Sequence, residues 1–584
     1  MNDAVASSQT TKGLSHLTVS QFGRAQIWLL AVLIAVAVGA GALGGMRPIT
    51  AVFLREQDLG VALVVLLASF VMLKQTAPLA TVYPINLAEK RGRAIIAWLA
   101  VAVFALGWAG SQIVFAGYPL SFDEFWAVAD GEFLSRGVPM ARLPEEWREY
   151  APALQPTFVR IVPEEGLWMS NYLPVNAMLQ WIGGTAASPL MAAGSVAMVA
   201  LIARRLMPQM REAPLIAAIL LATSSQVVIL AMTPYAMTAH LLFDLVWLWL
   251  FIQRRAWAYA LSLVVAALAM GLHQEAYFPL FALPFLLERF LAGERAFSIL
   301  YVALIGAGFL AWNGYDAFAY AWFAVEPETG SPSGSGRLVD DLIRRVTAIN
   351  VTAAALMGAN LLRFSLWQNP IVPAVLVLAA WPIVRLSADA PRELRAMLLS
   401  IVGTALFLFV VIPFQGHGWG YRYLHGQLGG AVLIVTFALC RLIHGEHGRA
   451  WKGVVVGATF LAMLLIPIRA WQAHHFASPY AEANTALLAW EDADVIVIDA
   501  PSHSYTVDLT RNDPWLRNPV KRMDAQSLSE EQLDRLCARY RVRFFKNEDA
   551  MRFSIPERPE SQRSDPSFPD GCLRNVASEE PVLR

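Results

Sequence analysis

The stretch AIIAWLAVAVFALGWAGSQIVFAGYPLSFDEFW, residues 94–126, decides how the whole chain is read. Up to Gly117 it carries no charged side chain, over a length that crosses a bilayer, since about 20 apolar residues in a helix match a hydrocarbon core of ~30 Å. It then turns polar, and Asp123 and Glu124 emerge beside Phe125 and Trp126. A carboxylate leaving the membrane at that point loses part of its hydration and becomes a better proton acceptor, the property a general base needs. The plainer reading is a solvated helix end.

Working outward, comparable apolar runs lie near 27–46, 59–82, 187–206, 213–231, 236–252, 256–272, 277–292, 296–313, 370–386, 396–413, 427–444 and 452–470. Together these predict about thirteen spans. The 584 residues are 57% hydrophobic and 15% charged, which excludes a large water-soluble globule. Equal numbers of basic and acidic residues leave a formal net charge of zero, so nothing supports nucleic acid as a partner. The apolar run after Arg24 is too long for a cleaved signal peptide and reads as a retained anchor.

Basic residues disfavour translocation and mark the cytoplasmic loops. Lys90, Arg91 and Arg93 precede the third span, Arg204 and Arg205 end the fourth, Arg254 and Arg255 end the sixth, and Arg441, Arg449 and Lys452 join the last two. This alternation places the amino terminus in the cytoplasm and the carboxyl terminus outside. Loops 118–186, 314–369 and 414–426 then share the outer face. Segments 171–184 and 338–366, the latter with Asp340, Asp341, Arg344 and Arg345, read as helices lying in the interface, and Gly330–Gly336 reads as a flexible loop tip.

From about residue 472 the chain turns polar. Asp494-Val-Ile-Val-Ile-Asp499 has a buried-strand pattern, Ser527-Leu-Ser-Glu530 starts a helix to about Tyr540, and Val542-Arg-Phe-Phe545 reads as a strand. The expected fold is therefore an all-α polytopic membrane protein with a small carboxyl-terminal α/β domain. Its parts are a cytoplasmic tail (1–24), two amino-terminal helices (25–93), a transmembrane core (94–471) and an outer α/β domain (472–584). The cysteines are Cys440, Cys537 and Cys572, with no spacing that suggests zinc. Cys537 and Cys572 both fall in the outer domain, where an oxidising compartment permits a disulfide; two unpaired thiols are the alternative.

Further polar groups gather on the same outer side. Loop 118–186 holds Asp130 and Glu132 and ends in Asn171-Tyr172-Leu-Pro174, while Gly271-Leu-His273-Gln274-Glu275 closes the seventh span. Polar side chains at a membrane boundary are costly unless used. His240 and Asp244, four apart and so on one helical face, are expected to satisfy each other. Phe414-Gln-Gly-His417-Gly-Trp-Gly420-Tyr-Arg422-Tyr423-Leu-His425 combines glycines, aromatics, histidines and an arginine. Glycines let backbone N–H groups approach a ligand and Arg422 offers a bidentate fork, a combination suited to an anion.

An acidic pair just past a span, a long outer loop ending in an aromatic-Pro helix, the span closing in Ala203-Arg-Arg-Leu-Met-Pro208 and a late Gly-x-Gly-x-Arg loop resemble the GT-C superfamily. These are integral membrane glycosyltransferases that use polyprenyl-phosphate-linked sugars, and the chain is similar to their protein O-mannosyltransferase and aminoarabinose transferase branches over roughly residues 94–470. The resemblance implies inverting sugar transfer on the periplasmic face of a bacterial inner membrane, with Asp123 or Glu124 as general base. It further implies donor lipid-phosphate binding by Arg422, His273, His425 and Tyr423, and acceptor or sugar binding by Tyr172, Asn171, His240 and Glu275. Partners are then the polyprenyl-phosphate sugar, membrane lipids and an acceptor that is a lipid, glycan or protein. No cofactor is implied: position 240 is His where some branches carry Asp, so a divalent metal has no support in the sequence. The α/β domain is expected to assist acceptor binding. The rival readings are a transporter, a lipid-linked oligosaccharide ligase or polymerase, and a non-catalytic scaffold.

Overall fold

The computed structural model describes residues 17–42, 48–74, 89–325, 350–385 and 390–568. Gly330–Gly336, the charged positions 340, 341, 344 and 345, and Cys572 lie outside these residues, and with Cys572 the suggested pairing to Cys537. Within them the chain is mostly helical, with two small sheets, and it is a multi-pass membrane protein by the length and composition of its helices.

Among the described residues, seven helices are long and apolar enough to cross a membrane, or eight if a bent pair counts as one span. The expected count of about thirteen is not confirmed. Helices Ala213–Ala222, Met237–Phe251, Ala256–Met270 and Tyr277–Leu291 stand where spans were expected, but they have 10, 15, 15 and 15 residues. At 1.5 Å per residue they reach only ~15–23 Å. The run 213–231 is cut by Thr223-Ser224-Ser225-Gln226: Ser224 turns extended and its hydroxyl accepts from the Val227 N–H, starting a new short helix. Such small hydroxyl side chains compete with the helix for its own backbone groups.

Helix Val351–Leu366 meets Ile371–Ala380 at 112°. It is buried at 355–360 and again at 362–366, so it is enclosed by protein rather than lying with one face toward water. The pre-proline bias against helix at Asn369 accounts for the break before Ile371.

By compactness the chain forms two units, each assembled from three segments. The first takes residues 1–111, 182–314 and 332–473 and contains the apolar bundle. The second takes 112–181, 315–331 and 474–584. In this second unit a parallel sheet has Val495–Asp499 at its centre, between Lys521–Asp524 and Val542–Lys546. Its central strand is buried at every position, as expected for a parallel strand covered on both faces. Helix Glu530–Arg539 starts at Ser529, which forms a capping box with Gln532. The box sits two residues later than expected because the Ser527 hydroxyl donates to Asp524 instead.

The same hydrophobic core draws on both ends of the sequence. Phe122, Trp126, Trp147 and Trp168 are buried together with Val495, Val497, Met523 and Leu536. Trp168 Nε1 donates to the Pro514 carbonyl at 2.7 Å, and Trp147 stacks on Tyr540 with ring centroids 4.9 Å apart. The terminal sheet and the first long loop therefore fold as one body, and cutting the chain near 475 would strip these tryptophans of their cover.

Candidate active site

In the second unit the acidic pair sits on the first turn of helix Phe122–Arg136. Ser121 is its cap, and Glu124 reaches back to accept from the Ser121 N–H at 2.8 Å, closing a capping box. Glu124 is only 1% exposed, and its carboxylate also complements the partial positive charge at a helix start. Asp123, its neighbour, is half-buried. The Tyr172 hydroxyl donates to Asp123 Oδ1, tying the acid to the segment after strand Leu167–Ser170.

Two turns further along, on the same helical face, the Ser170 hydroxyl donates to Asp130 Oδ2. Burial pushes the Asp130 carboxyl up to about 8, against the smaller opposing pull of the Ser170 bond. Residues 170 and 172 thus hold two carboxylates seven residues apart. Asn171 points elsewhere, accepting from Arg160 Nε at 3.1 Å.

In the first unit, the loop between helices Arg392–Val411 and Leu428–His444 carries Arg422. Its course is set by Gln415, whose side chain donates to the Gly420 carbonyl and accepts from the Arg422 N–H, both at 2.9 Å. Gly420 has φ +66°, and a Cβ there would stand 2.4 Å from Gln226 Oε1. Only glycine fits both the backbone and the space. Arg422 is 4% exposed, and its guanidinium lies 4.5 Å from the Tyr235 ring and 5.2 Å from the Tyr423 ring. Aromatic faces on this scale stabilise a cation while leaving its N–H fork directed in the ring plane.

Gln226 Nε2 donates to the Tyr421 carbonyl at 3.0 Å and lies 3.3 Å from His425 Nδ1. Its Oε1 accepts from Gln368 Nε2 at 2.9 Å, which fixes the amide orientation. An amide nitrogen has no lone pair to offer, so His425 Nδ1 is the acceptor and a neutral ring carries its proton on Nε2. His425 is fully buried, and Nε2 has no hydrogen-bond partner among the described residues. It is a ready donor.

Tyr277 joins the remaining aromatics: His240, His273 and Tyr423 lie 5.4, 6.4 and 6.3 Å from it by ring centroid. His273 and His425 are also electrostatic neighbours of His240. His240 and Asp244 are each 3% exposed. They do not satisfy each other: neither ring nitrogen of His240, nor Asp244 Oδ1, has a hydrogen-bond partner among the described residues. Same-face spacing brings Cβ atoms close, but it does not orient the two heads toward one another. Asp244 instead faces the Arg422 loop, with Oδ2 2.8 Å from where a Cβ on Gly426 would stand.

The structure therefore brings Arg422, Tyr423, His425, His240 and His273 together within the first unit, and Asp123 and Tyr172 within the second. Glu275 accepts from Asn313 Nδ2 at 2.9 Å. No group of three His, Cys, Asp or Glu among the described residues is arranged to hold a metal ion. Sequence reasoning missed Gln226, and it gave no role to Tyr235, noted beside His240, or to Gln415 within the glycine-rich loop. Gln226 had a signal, being a buried amide inside a run read as one apolar span.

No protein-family model matches the chain, and no curated protein matches it. Among solved structures it is similar to ArnT from Cupriavidus metallidurans bound to undecaprenyl phosphate, with 11% identity over 74% of this chain and 86% of that one and a TM-score of 0.43. The apo state of the same ArnT matches over the same shares with 11% identity and a TM-score of 0.41.

Proposed function

We propose that this protein is a membrane glycosyltransferase that moves a sugar from a polyprenyl-phosphate donor to an acceptor, with inversion at the anomeric carbon. The observation that supports this reading best is Arg422. A buried guanidinium on a glycine-shaped loop, packed against the Tyr235 and Tyr423 rings, suits a phosphate on a membrane-embedded tail.

The donor phosphate is assigned to Arg422, with His425, Tyr423 and His273 around it, and the acceptor proton to Asp123. As the acceptor oxygen bonds to the anomeric carbon, the bond from that carbon to the phosphate oxygen breaks and its electron pair leaves with the polyprenyl phosphate. Positive charge around the phosphate stabilises the leaving group, and the proton passes to the Asp123 carboxylate. Tyr172 orients that carboxylate by its hydroxyl bond to Oδ1. Glu124 closes the helix start. Tyr172, Asn171, His240 and Glu275 are assigned to the acceptor or the sugar. The basic-loop alternation supports a cytoplasmic amino terminus and an outer α/β domain, which in a bacterial inner membrane would face the periplasm.

The test is release of polyprenyl phosphate from a panel of polyprenyl-phosphate sugars by protein in lipid nanodiscs. Wild type should turn over one member, Asp123→Asn should bind it without turnover, and Arg422→Ala should bind it weakly. Activity indifferent to both changes would remove the proposed site. The unfilled hydrogen bonds of His240 and Asp244 favour a second reading, a proton-coupled carrier. Proton-driven uptake by proteoliposomes, without donor turnover, would establish that one instead.

A further inference from the structure

Asp58 ends the π-helical turn Leu54–Asp58 that leads into helix Leu59–Lys74, and its side chain is fully buried. Two arginines converge on it. Arg469 Nη1 lies 3.3 Å from Oδ1 and Arg363 Nε lies 3.5 Å from Oδ2, and Trp367 Nε1 donates to Oδ1 at 3.0 Å. Both guanidiniums are also buried. A π-turn inserts an extra residue and changes which side chains face inward, and here it delivers a carboxylate into a helical bundle.

The two arginines differ in what else they hold. Arg469 donates to the Gln57 carbonyl at 2.8 Å and to Gln472 Oε1 at 2.9 Å, and it lies over the Trp367 ring at 4.3 Å. Those contacts join helices. Arg363, with its cation 4.1 Å from the Phe53 ring, donates from Nη2 to Gln57 Oε1 and to the Gly418 carbonyl, each at 3.2 Å. Gly418 has φ +151°, and a Cβ on it would stand 2.8 Å from Arg422 Cδ. An unbroken set of contacts therefore runs from Asp58 through Arg363 to Gly418, and Arg422 lies directly against that glycine.

We propose that Asp58 is a positioning residue for the donor site: it fixes Arg363, Arg363 fixes the Gly418 carbonyl, and the loop so held presents Arg422. This rests on the reading above that Arg422 meets the donor phosphate. It gives a task to the helices before residue 94, for which the GT-C resemblance supplies none. A loop with glycines at positive φ has many conformations to lose, and a rigid anchor on its backbone removes them before the ligand arrives. Preorganisation of this kind matters because a displacement of about 1 Å in a positioned group is enough to cost roughly 10²-fold in rate.

The experiment uses the full chain in lipid nanodiscs, with two readouts: deuterium exchange of peptides covering 414–426, and binding of a long-chain polyprenyl phosphate without sugar. Asp58→Asn should speed exchange of that loop and weaken binding by roughly 10- to 100-fold, and Asp58→Glu should restore part of both. Arg469→Gln should lower Tm yet leave loop exchange at the wild-type rate. If Asp58→Asn does not fold, Asp58→Glu alone decides, and by displacing the carboxylate from Arg363 it should still speed loop exchange over wild type. Wild-type loop exchange in the Asp58 variants, or equal loosening by Arg469→Gln, would overturn the proposal. If wild type binds no polyprenyl phosphate, the functional reading fails, and loop exchange alone still decides whether Asp58 positions the loop.

Discussion

Asp58 and Asp244 are both buried carboxylates in the helical bundle, and their surroundings are opposite. Asp58 accepts from an indole N–H, and its Oδ2, which makes no hydrogen bond among the described residues, still lies within 3.5 Å of one of two buried guanidiniums. Asp244 has an oxygen with no hydrogen-bond partner among the described residues, one turn from a histidine whose two ring nitrogens have none either. Burial alone does not separate a structural acid from a functional one; its partners do. A buried polar group left unsatisfied costs about 1–3 kcal/mol, so the several that stand beside the glycine-rich loop are groups that an ordered water or a bound ligand would complete. A compensated cluster has a different role, which is to hold helices and loops in place.

The largest effect that tests this contrast is on stability. Asp58→Ala leaves two buried cations without their counter-ion and should cost about 3–5 kcal/mol, measured as loss of thermal stability in detergent. A loss below about 1 kcal/mol would erase the distinction. Asp244→Asn should change stability by less than about 1 kcal/mol while lowering donor turnover about tenfold, the worth of one hydrogen bond to a charged group. Unaltered turnover would return Asp244 to the structural class. His240→Leu removes two unfilled nitrogens and should leave Tm equal or higher, with turnover reduced; a clear drop in Tm would mean that the ring is satisfied in solution.

The smallest effect concerns pH and the second unit. Burial raises the Asp130 carboxyl to about 8, so between the unfolded value near 3.9 and about 8 the folded state holds the extra proton. Stability from this group is then complete at low pH and falls as pH rises through that window. Asp130→Asn, which cannot ionise, should flatten this fall in a Tm series from pH 5 to 9. An unchanged pH slope would show that Asp130 is ionised in the native protein.

Much of the architecture was legible in the sequence because lipid imposes long apolar runs, and the polytopic helical class and two of the three terminal strands follow from pattern, while Lys521–Asp524 does not. The number of spans did not follow. Hydropathy sees that 213–231 is apolar, but it does not weigh Ser224 capping a new helix inside it. Glu124 illustrates a second limit: Ser121-Phe-Asp-Glu124 carries the spacing of a capping box, a signal the reading of the acidic pair did not use, while the bond of Asp123 to Tyr172 shows only in the fold. Asp58, Arg363 and Arg469 were silent for a deeper reason. They are separated by hundreds of positions, and no local period links charges that meet only in the folded bundle. The shared core of Trp168 and Pro514 escaped for the same reason, and it makes truncation near 475 a test of folding rather than of acceptor binding.

The most direct measurement of the central claim is the fate of the anomeric carbon. With a polyprenyl-phosphate sugar labelled with carbon-13 at that carbon, NMR of the product formed by wild type and by Asp123→Asn would read both the transfer and its stereochemistry. The account predicts a glycosylated acceptor of inverted configuration from wild type and none above background from Asp123→Asn. Retained configuration, or equal product from both proteins, would contradict it.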